Sequence, residues 1–443
     1  MNKMIQPWAV AALCVGALDA FAVPSVSNVA VSQLPTRRVE VSYDLASAAV
    51  GDAAVVTVEF LTNGVRLADS CVRTLTGDVN RVVPVAGGRK TLWWHPRKDW
   101  PDQYVPKDFS ARVIAWATNA PPQVMVLNLK MQKGVAFYPS IASLPEPDGI
   151  SNIVYKTDKM AFRRIPAGGV TFNMGAPKET GNTNTLAAET PHYVQFNEDY
   201  YMAVYPLTER QFQWVNYDGG SLGTLPSKCD FKDETVYPDC AQYPCGGLSY
   251  NSFRSDGAAK VWPQSGHKIV GQWTVAGRLR TKFGVEVDLP TEAQWEYACR
   301  AETDTSLNTG VNISSTTTCE EMSAAGWYVG NADGRLHPVG LKPANAWGLF
   351  DMHGGVHEFV LDWYDATYYN TLDATTQIVD PRGPTSAGDN KRVMRGGSFA
   401  SNAQDCRAGA RLASTSANAW NATGGRLCCP GFVWIMSDDE LAE

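Results

Sequence analysis

The sequence predicts a multidomain chain: an all-β sandwich at the N-terminus, then a larger, irregular α+β domain. Three observations carry this. Residues 23–118 alternate apolar and polar with period two in short runs, the pattern of half-buried antiparallel strands. Glycine and proline, 38 and 26 of 443 residues, punctuate the chain too densely for long helices. Only two segments of the second part join a helix start signal to apolar residues at helical spacing. With 44% apolar and 19% charged residues, each part can fill a core, and disordered, coiled-coil and collagen-like chains are excluded. A net charge of −7 argues against a nucleic-acid partner, which needs a basic footprint.

Taken in order, the first element is a signal peptide over 1–22. Lys3 gives a short basic region, an apolar run follows from Trp8 to Leu18, and Ala20-Phe21-Ala22 has the small-x-small form of a cleavage site. Asp19 stops the run short of the ~20 apolar residues a spanning helix needs. The mature protein is therefore expected to be secreted, periplasmic or at the cell surface, with no membrane span. Such a compartment permits disulfides. Removal of Cys14 with the signal leaves nine cysteines, an odd number. Cys229, Cys240 and Cys245 read as a loop staple, because a zinc cluster wants tighter pairs and a fourth ligand.

The sandwich, 23–118, rests on the alternating runs 38–43, 54–60 and 112–116, with Asn63-Gly64 as a turn pair. It resembles fibronectin III and immunoglobulin-like modules in pattern, which implies a spacer or a contact surface. Asn119-Ala120-Pro121-Pro122 opens a segment, 119–159, read as linker with an ambiguous strand-like run at 124–129. The second domain, 160–435, precedes an acidic tail, 436–443. Its helices are expected over 208–215, with Thr208 as cap and Gln211 three residues on, and over 291–300, with Pro290 ahead and Glu292 in the first turn.

Several strings in this second domain occur in a telling order. They run Phe172-Asn173-Met174-Gly175, Glu189-Thr190-Pro191-His192, Tyr205-Pro206-Leu207-Thr208-Glu209, Leu289-Pro290-Thr291-Glu292-Ala293-Gln294-Trp295-Glu296-Tyr297, Asn345-Ala346-Trp347-Gly348-Leu349 and Arg395-Gly396-Gly397-Ser398-Phe399. Together they resemble the sulfatase-modifying-factor, or formylglycine-generating-enzyme-like, family. The resemblance implies an irregular α+β fold related to C-type lectins. Members of that family include oxidases that convert a sulfatase cysteine to formylglycine.

That chemistry needs two cysteines, five residues apart, after the Gly-Gly-Ser segment, because a soft copper ion prefers thiolates. By the resemblance, the catalytic positions fall on Ser398, Ser401 and Cys406. A hydroxyl at Ser401 is a hard, weakly acidic ligand, so copper is not expected. The resemblance also implies a structural disulfide from Cys299 to Cys406, and calcium ligation at Asn331 and Glu358. The calcium motif is eroded, with Gly355 where the family has an asparagine and His357 and Phe359 where it has tryptophans. His353 and His357 could share a metal on a helix, but Gly354-Gly355 between them favours a turn with hydrogen-bonded imidazoles.

The segment 399–423 holds 16 alanine, serine, asparagine and threonine residues out of 25, a composition suited to adaptable recognition. It is similar to the ligand-binding face of C-type-lectin-fold variable proteins. Arg407, Arg411 and Trp420 stand out there as ligand-binding candidates. Two readings follow. In the first, the chain has lost formylglycine chemistry and binds a protein, peptide or glycan on this face. In the second, it is an oxidoreductase acting on a protein cysteine or other thiol substrate.

Overall fold

The computed structural model describes residues 24–46, 53–67, 71–72, 74–99, 108–118, 120–132, 134–175, 187–217, 219–225, 240–255, 272–372, 376–386 and 389–431. The expected signal peptide and acidic tail lie outside these residues, as do Cys229 and the side chain of Cys240.

Eight strands come first: β1 (Ser25–Gln33), β2 (Val39–Ala46), β3 (Ala53–Thr62), β4 (Val65–Arg66), β5 (Leu75–Gly77), β6 (Arg81–Pro84), β7 (Lys90–Trp94) and β8 (Phe109–Trp116). All pair antiparallel, in a sheet ordered β1-β2-β7-β5 and a second in which β3 carries β8 on one edge and β4 and β6 on the other. Alternation sets the facing. Val39, Val41 and Tyr43 of β2 are buried while their neighbours are only partly so, and they join Val56, Phe60 and Val113 of the second sheet in one cluster. Phe60, Trp94 and Phe109 stack within it at centroid distances of 4.9, 5.2 and 5.7 Å. A single helical turn, α1 (Pro96–Asp99), follows β7, and Asp99 accepts from Thr74 N–H and Trp94 Nε1–H.

The remaining strands are β9 (Val124–Asn128), β10 (Val135–Tyr138), β11 (Lys159–Ile165), β12 (Thr171–Met174), β13 (His192–Gln195), β14 (Tyr200–Ala203), β15 (His357–Trp363), β16 (Ile378–Val379), β17 (Lys391–Arg395), β18 (Leu412–Thr415), β19 (Thr423–Gly424) and β20 (Cys428–Pro430). They form three sheets, ordered β10-β9-β11-β14-β20, β12-β13-β16 and β18-β17-β15-β19. The segment expected as a linker thus supplies two paired strands. Four consecutive residues of β9, Val124 to Leu127, are buried, because both faces of that strand are covered: Met125 and Leu127 join one core cluster and Val124 and Val126 another.

The helices are short: α2 (Glu209–Val215), α3 (Tyr250–Phe253), α4 (Val275–Phe283), α5 (Glu292–Arg300) and α6 (Glu320–Ala325). Both helix starts read from the sequence are capping boxes. Thr208 and Gln211 satisfy one another's backbone N–H groups at 3.3 and 3.1 Å, and Thr291 and Gln294 do so at 3.2 and 2.9 Å. All nine residues of α5 are buried. Its three charged side chains therefore need partners inside the protein, and these partners shape the site region.

Candidate functional site

The site region is the turn after β17 and the loop that follows it. Gly396 and Gly397 take φ of +84° and +71°, and a Cβ on Gly397 would run into the Cys406 sulfur. Glycine alone fits there, so this turn packs against the Cys406 thiol, with the Ser398 backbone beside the sulfur. Ser401 Oγ accepts the Ser398 N–H at 3.1 Å and lies 3.1 Å from Ser398 Oγ and 3.4 Å from His357 Nε2. Ser398 Oγ accepts the Ala400 N–H. The local donor set is two hydroxyls, one imidazole and one thiol. It does not fit a two-thiolate copper centre, because Ser401 offers oxygen where a second thiolate is needed. Burial pushes the Cys406 thiol far above the usual range, which keeps it protonated and a poor ligand.

The expected disulfide is not formed: Cys299 and Cys406 are both free thiols. His353 touches the Cys299 sulfur and the Cys406 backbone carbonyl. Its Nε2 accepts the Asn308 N–H at 3.0 Å and lies 3.8 Å from Cys299 Sγ, while Nδ1–H donates to Cys406 O at 2.7 Å. Burial raises the Cys299 thiol to about 12 and lowers His353 to about 4. His353 and His357 therefore hold separate hydrogen bonds in and after a glycine turn, with Gly354 at φ +75° against Trp327 O.

Arg407 and Arg411 are not surface residues. Arg407 forms a two-pronged ion pair with Glu189 at 2.9–3.1 Å, and both partners are buried. Arg411 grips Glu292 at 2.7 and 2.9 Å. Glu292 also accepts from Arg395 at 3.0 Å and Tyr369 OH at 2.8 Å. Burial alone would raise the Glu292 carboxyl, but Arg411 and Arg395 outweigh it and hold it below the usual range. Arg411 and Arg395 serve α5 and Arg407 serves Glu189, because each buried carboxylate needs a guanidinium. Of the three ligand candidates only Trp420 is exposed, at 43%. Ala400 and Asn402 flank Ser401 and are exposed as well.

The two residues expected to share calcium lie in separate hydrogen-bond systems. Glu358 is a counter-ion: both its oxygens accept from Arg426, and Trp295 Nε1–H donates to one at 2.6 Å. Asn331 Oδ1 accepts the Tyr328 N–H, and its amide donates to Ser323 O and Gly326 O. The pair does not fit a calcium site, since Arg426 already neutralises the one carboxylate. Among the described residues there is no group of three or more His, Cys, Asp or Glu side chains placed to hold a metal ion.

Sequence reading missed the side chains beside this face. Trp327 stacks on His337 at 3.8 Å with an 11° tilt, and Lys342 Nζ lies 4.1 Å from the Trp327 centroid. His357 was visible as a departure from the family pattern and as the second histidine of a spacing that could suggest a metal. Its partner Ser401 is 44 positions away, and no local signal links them.

Comparison with known proteins bears on this geometry. Residues 155–429 match the family model described as the sulfatase-modifying factor enzyme 1-like domain. The formylglycine-generating enzyme of Mus musculus is 30% identical over 294 residues, covering 59% of this chain and 69% of the enzyme. That of Thermomonospora curvata is 32% identical over 183 residues, covering 38% of this chain and 57% of the enzyme. A serine/threonine-protein kinase pkn1 of Chlamydia caviae is 28% identical over 265 residues, covering 59% of this chain and 38% of the kinase. The chain thus spans less than two thirds of the Thermomonospora and Chlamydia relatives. Among solved structures, Treponema denticola variable protein 1 aligns with a TM-score of 0.46 and 22% identity, covering 61% of this chain and 95% of that one.

Proposed function

The chain belongs to the sulfatase-modifying factor enzyme 1-like family, and from that premise we propose that it acts by binding a ligand and does not generate formylglycine. The observation that carries this reading is Ser401. Where the family's oxidation needs a thiolate, this chain has a hydroxyl held between Ser398 and His357. The remaining thiol, Cys406, is buried and protonated. Neither group makes a redox centre. The exposed part of the same loop, Ala400, Asn402 and Trp420, suits contact with a protein, peptide or glycan outside the cell. The protein would reach that ligand as an exported molecule, with the N-terminal sheets as a fibronectin III-like spacer.

The test is direct. The protein is loaded with Cu(I) in air and incubated with a cysteine-containing sulfatase peptide, and the peptide is weighed by mass spectrometry. No aldehyde is expected. A competitor titration should find that Ser401→Cys binds Cu(I) more tightly than the natural sequence. Aldehyde formation, or tight Cu(I) binding through two sulfurs of the unsubstituted protein, would overturn the reading.

A further inference from the structure

A groove of about 500 Å³ lies away from the Ser401 loop, between the C-terminal end of α2 and the outer side of α4. Six of its lining residues matter: Tyr217, Gln272, Trp273, Arg278, Thr281 and Lys282. Trp273 is 71% exposed, the most of any large apolar side chain among the described residues, and Tyr217 is 40% exposed. An indole this far out of the core costs apolar hydration, and nothing in the packing of α4 requires it.

Both rings are nevertheless held. Arg278 Nε–H donates to Trp273 O at 3.2 Å, and its guanidinium lies 5.1 Å from the Trp273 ring centroid. Tyr217 packs edge-on against Trp214 at 5.5 Å, and Trp214 Nε1–H donates to Asp158 at 3.1 Å. Flat rings fixed in place bind at low entropic cost.

The charge has one sign. The groove's lining includes Arg278 and Lys282 and no Asp or Glu. Neither cation has a carboxylate partner among the described residues. Lys282 Nζ–H donates only to a carbonyl, Leu129 O, at 2.5 Å. On a chain of net charge −7, two cations without counter-ions among the described residues, beside two exposed rings, form a local feature suited to an anion.

We propose that this groove binds an anionic oligosaccharide. The C–H face of one sugar ring lies on Trp273. A carboxylate or sulfate of the same or the next ring meets Arg278 and Lys282. Gln272 and the Thr281 hydroxyl take the sugar hydroxyls. An apolar peptide would leave the cations and amides unsatisfied, and a free phosphate would make no use of the rings. The site is independent of Ser401, so it stands or falls apart from the loss of copper chemistry.

The full chain is titrated with a galacturonate hexamer, a sulfated heparin-type hexamer and a neutral cellohexaose, with tryptophan fluorescence and calorimetry as readouts. At least one anionic hexamer should bind, about tenfold or more tighter than the neutral one, and more weakly as salt rises. Trp273→Ala and Arg278→Gln should each weaken that binding by about tenfold, with the thermal midpoint unchanged because Trp273 is exposed. Binding of neither anionic sugar overturns the proposal. So does equal binding of the neutral sugar, indifference to both substitutions, or tighter binding of hexaglutamate than of either sugar.

Discussion

His357 opens β15 with its ring buried, Nε2 3.4 Å from Ser401 Oγ and Nδ1 without a hydrogen-bond partner among the described residues. Burial pulls its pKa down to about 4, whereas the unfolded chain titrates near ~6.5. Between those values the unfolded state takes up a proton and the folded state does not. The stabilising effect of the neutral ring is therefore complete above about pH 6.5 and is lost as pH falls toward 4. A His357→Gln variant has no proton to gain in that window. Urea unfolding should show the natural protein losing about 2–3 kcal/mol relative to the variant between pH 7 and pH 4.5. A gap that stays constant with pH would mean the ring is solvated or already charged. The sequence marked His357 as a departure from the family pattern, but its burial and its partner depend on chain segments 44 residues apart.

The helix and strand elements were legible where their signals are local. The capping boxes at Thr208 and Thr291 lie within four residues of sequence, and so does the alternation along β2. Within the loop from Phe399 to Thr423, Arg407 and Arg411 were misplaced on the surface for a physical reason. The loop's many alanines and serines suit an adaptable recognition surface, yet small residues also let backbones pack closely, and Ala403, Ala408, Ala410 and Ala422 are all buried. Arginines are seldom buried without partners. Arg407 and Arg411 find theirs in Glu189 and Glu292, 218 and 119 positions away, where no local pattern can point. The two roles first given to this loop now separate. Arg411→Ala strips Glu292 of its closest guanidinium and should destabilise the fold by about 3–5 kcal/mol. Trp420→Ala removes a half-exposed ring and should cost less than about 1 kcal/mol. Chemical denaturation of the two variants measures both. Similar losses would contradict the assignment of Arg411 to the core.

On the scale of the molecule, β3 serves two cores. Ala54 and Val56 point into the N-terminal cluster with Val83, while Val55 belongs to the large C-terminal cluster, against which Val82 and Trp116 pack. Those three residues form one row across β6, β3 and β8, since Val55 is paired with Val82 on one side and Trp116 on the other. The sequence carried a trace of this: 53–56 at the start of β3 and 113–116 in β8 are continuous apolar runs, the mark of strands covered on both faces. The row was missed because β9 and β10, whose Met125, Leu127 and Phe137 belong to the same cluster, lie in the segment read as linker with an ambiguous strand-like run. Phe137 N–H donates to Asn80 O at 3.0 Å and ties β10 to the same sheet. The two parts should therefore unfold together, and calorimetry of the natural protein should give one main endotherm. Val55 is fully buried, so Val55→Asp places an unpaired carboxylate between the cores at a cost of about 3–5 kcal/mol. It should lower that endotherm as a whole. Two separate endotherms in the natural protein, or a variant in which only a smaller N-terminal transition moves, would show that the halves are mechanically independent and that this row does not couple them.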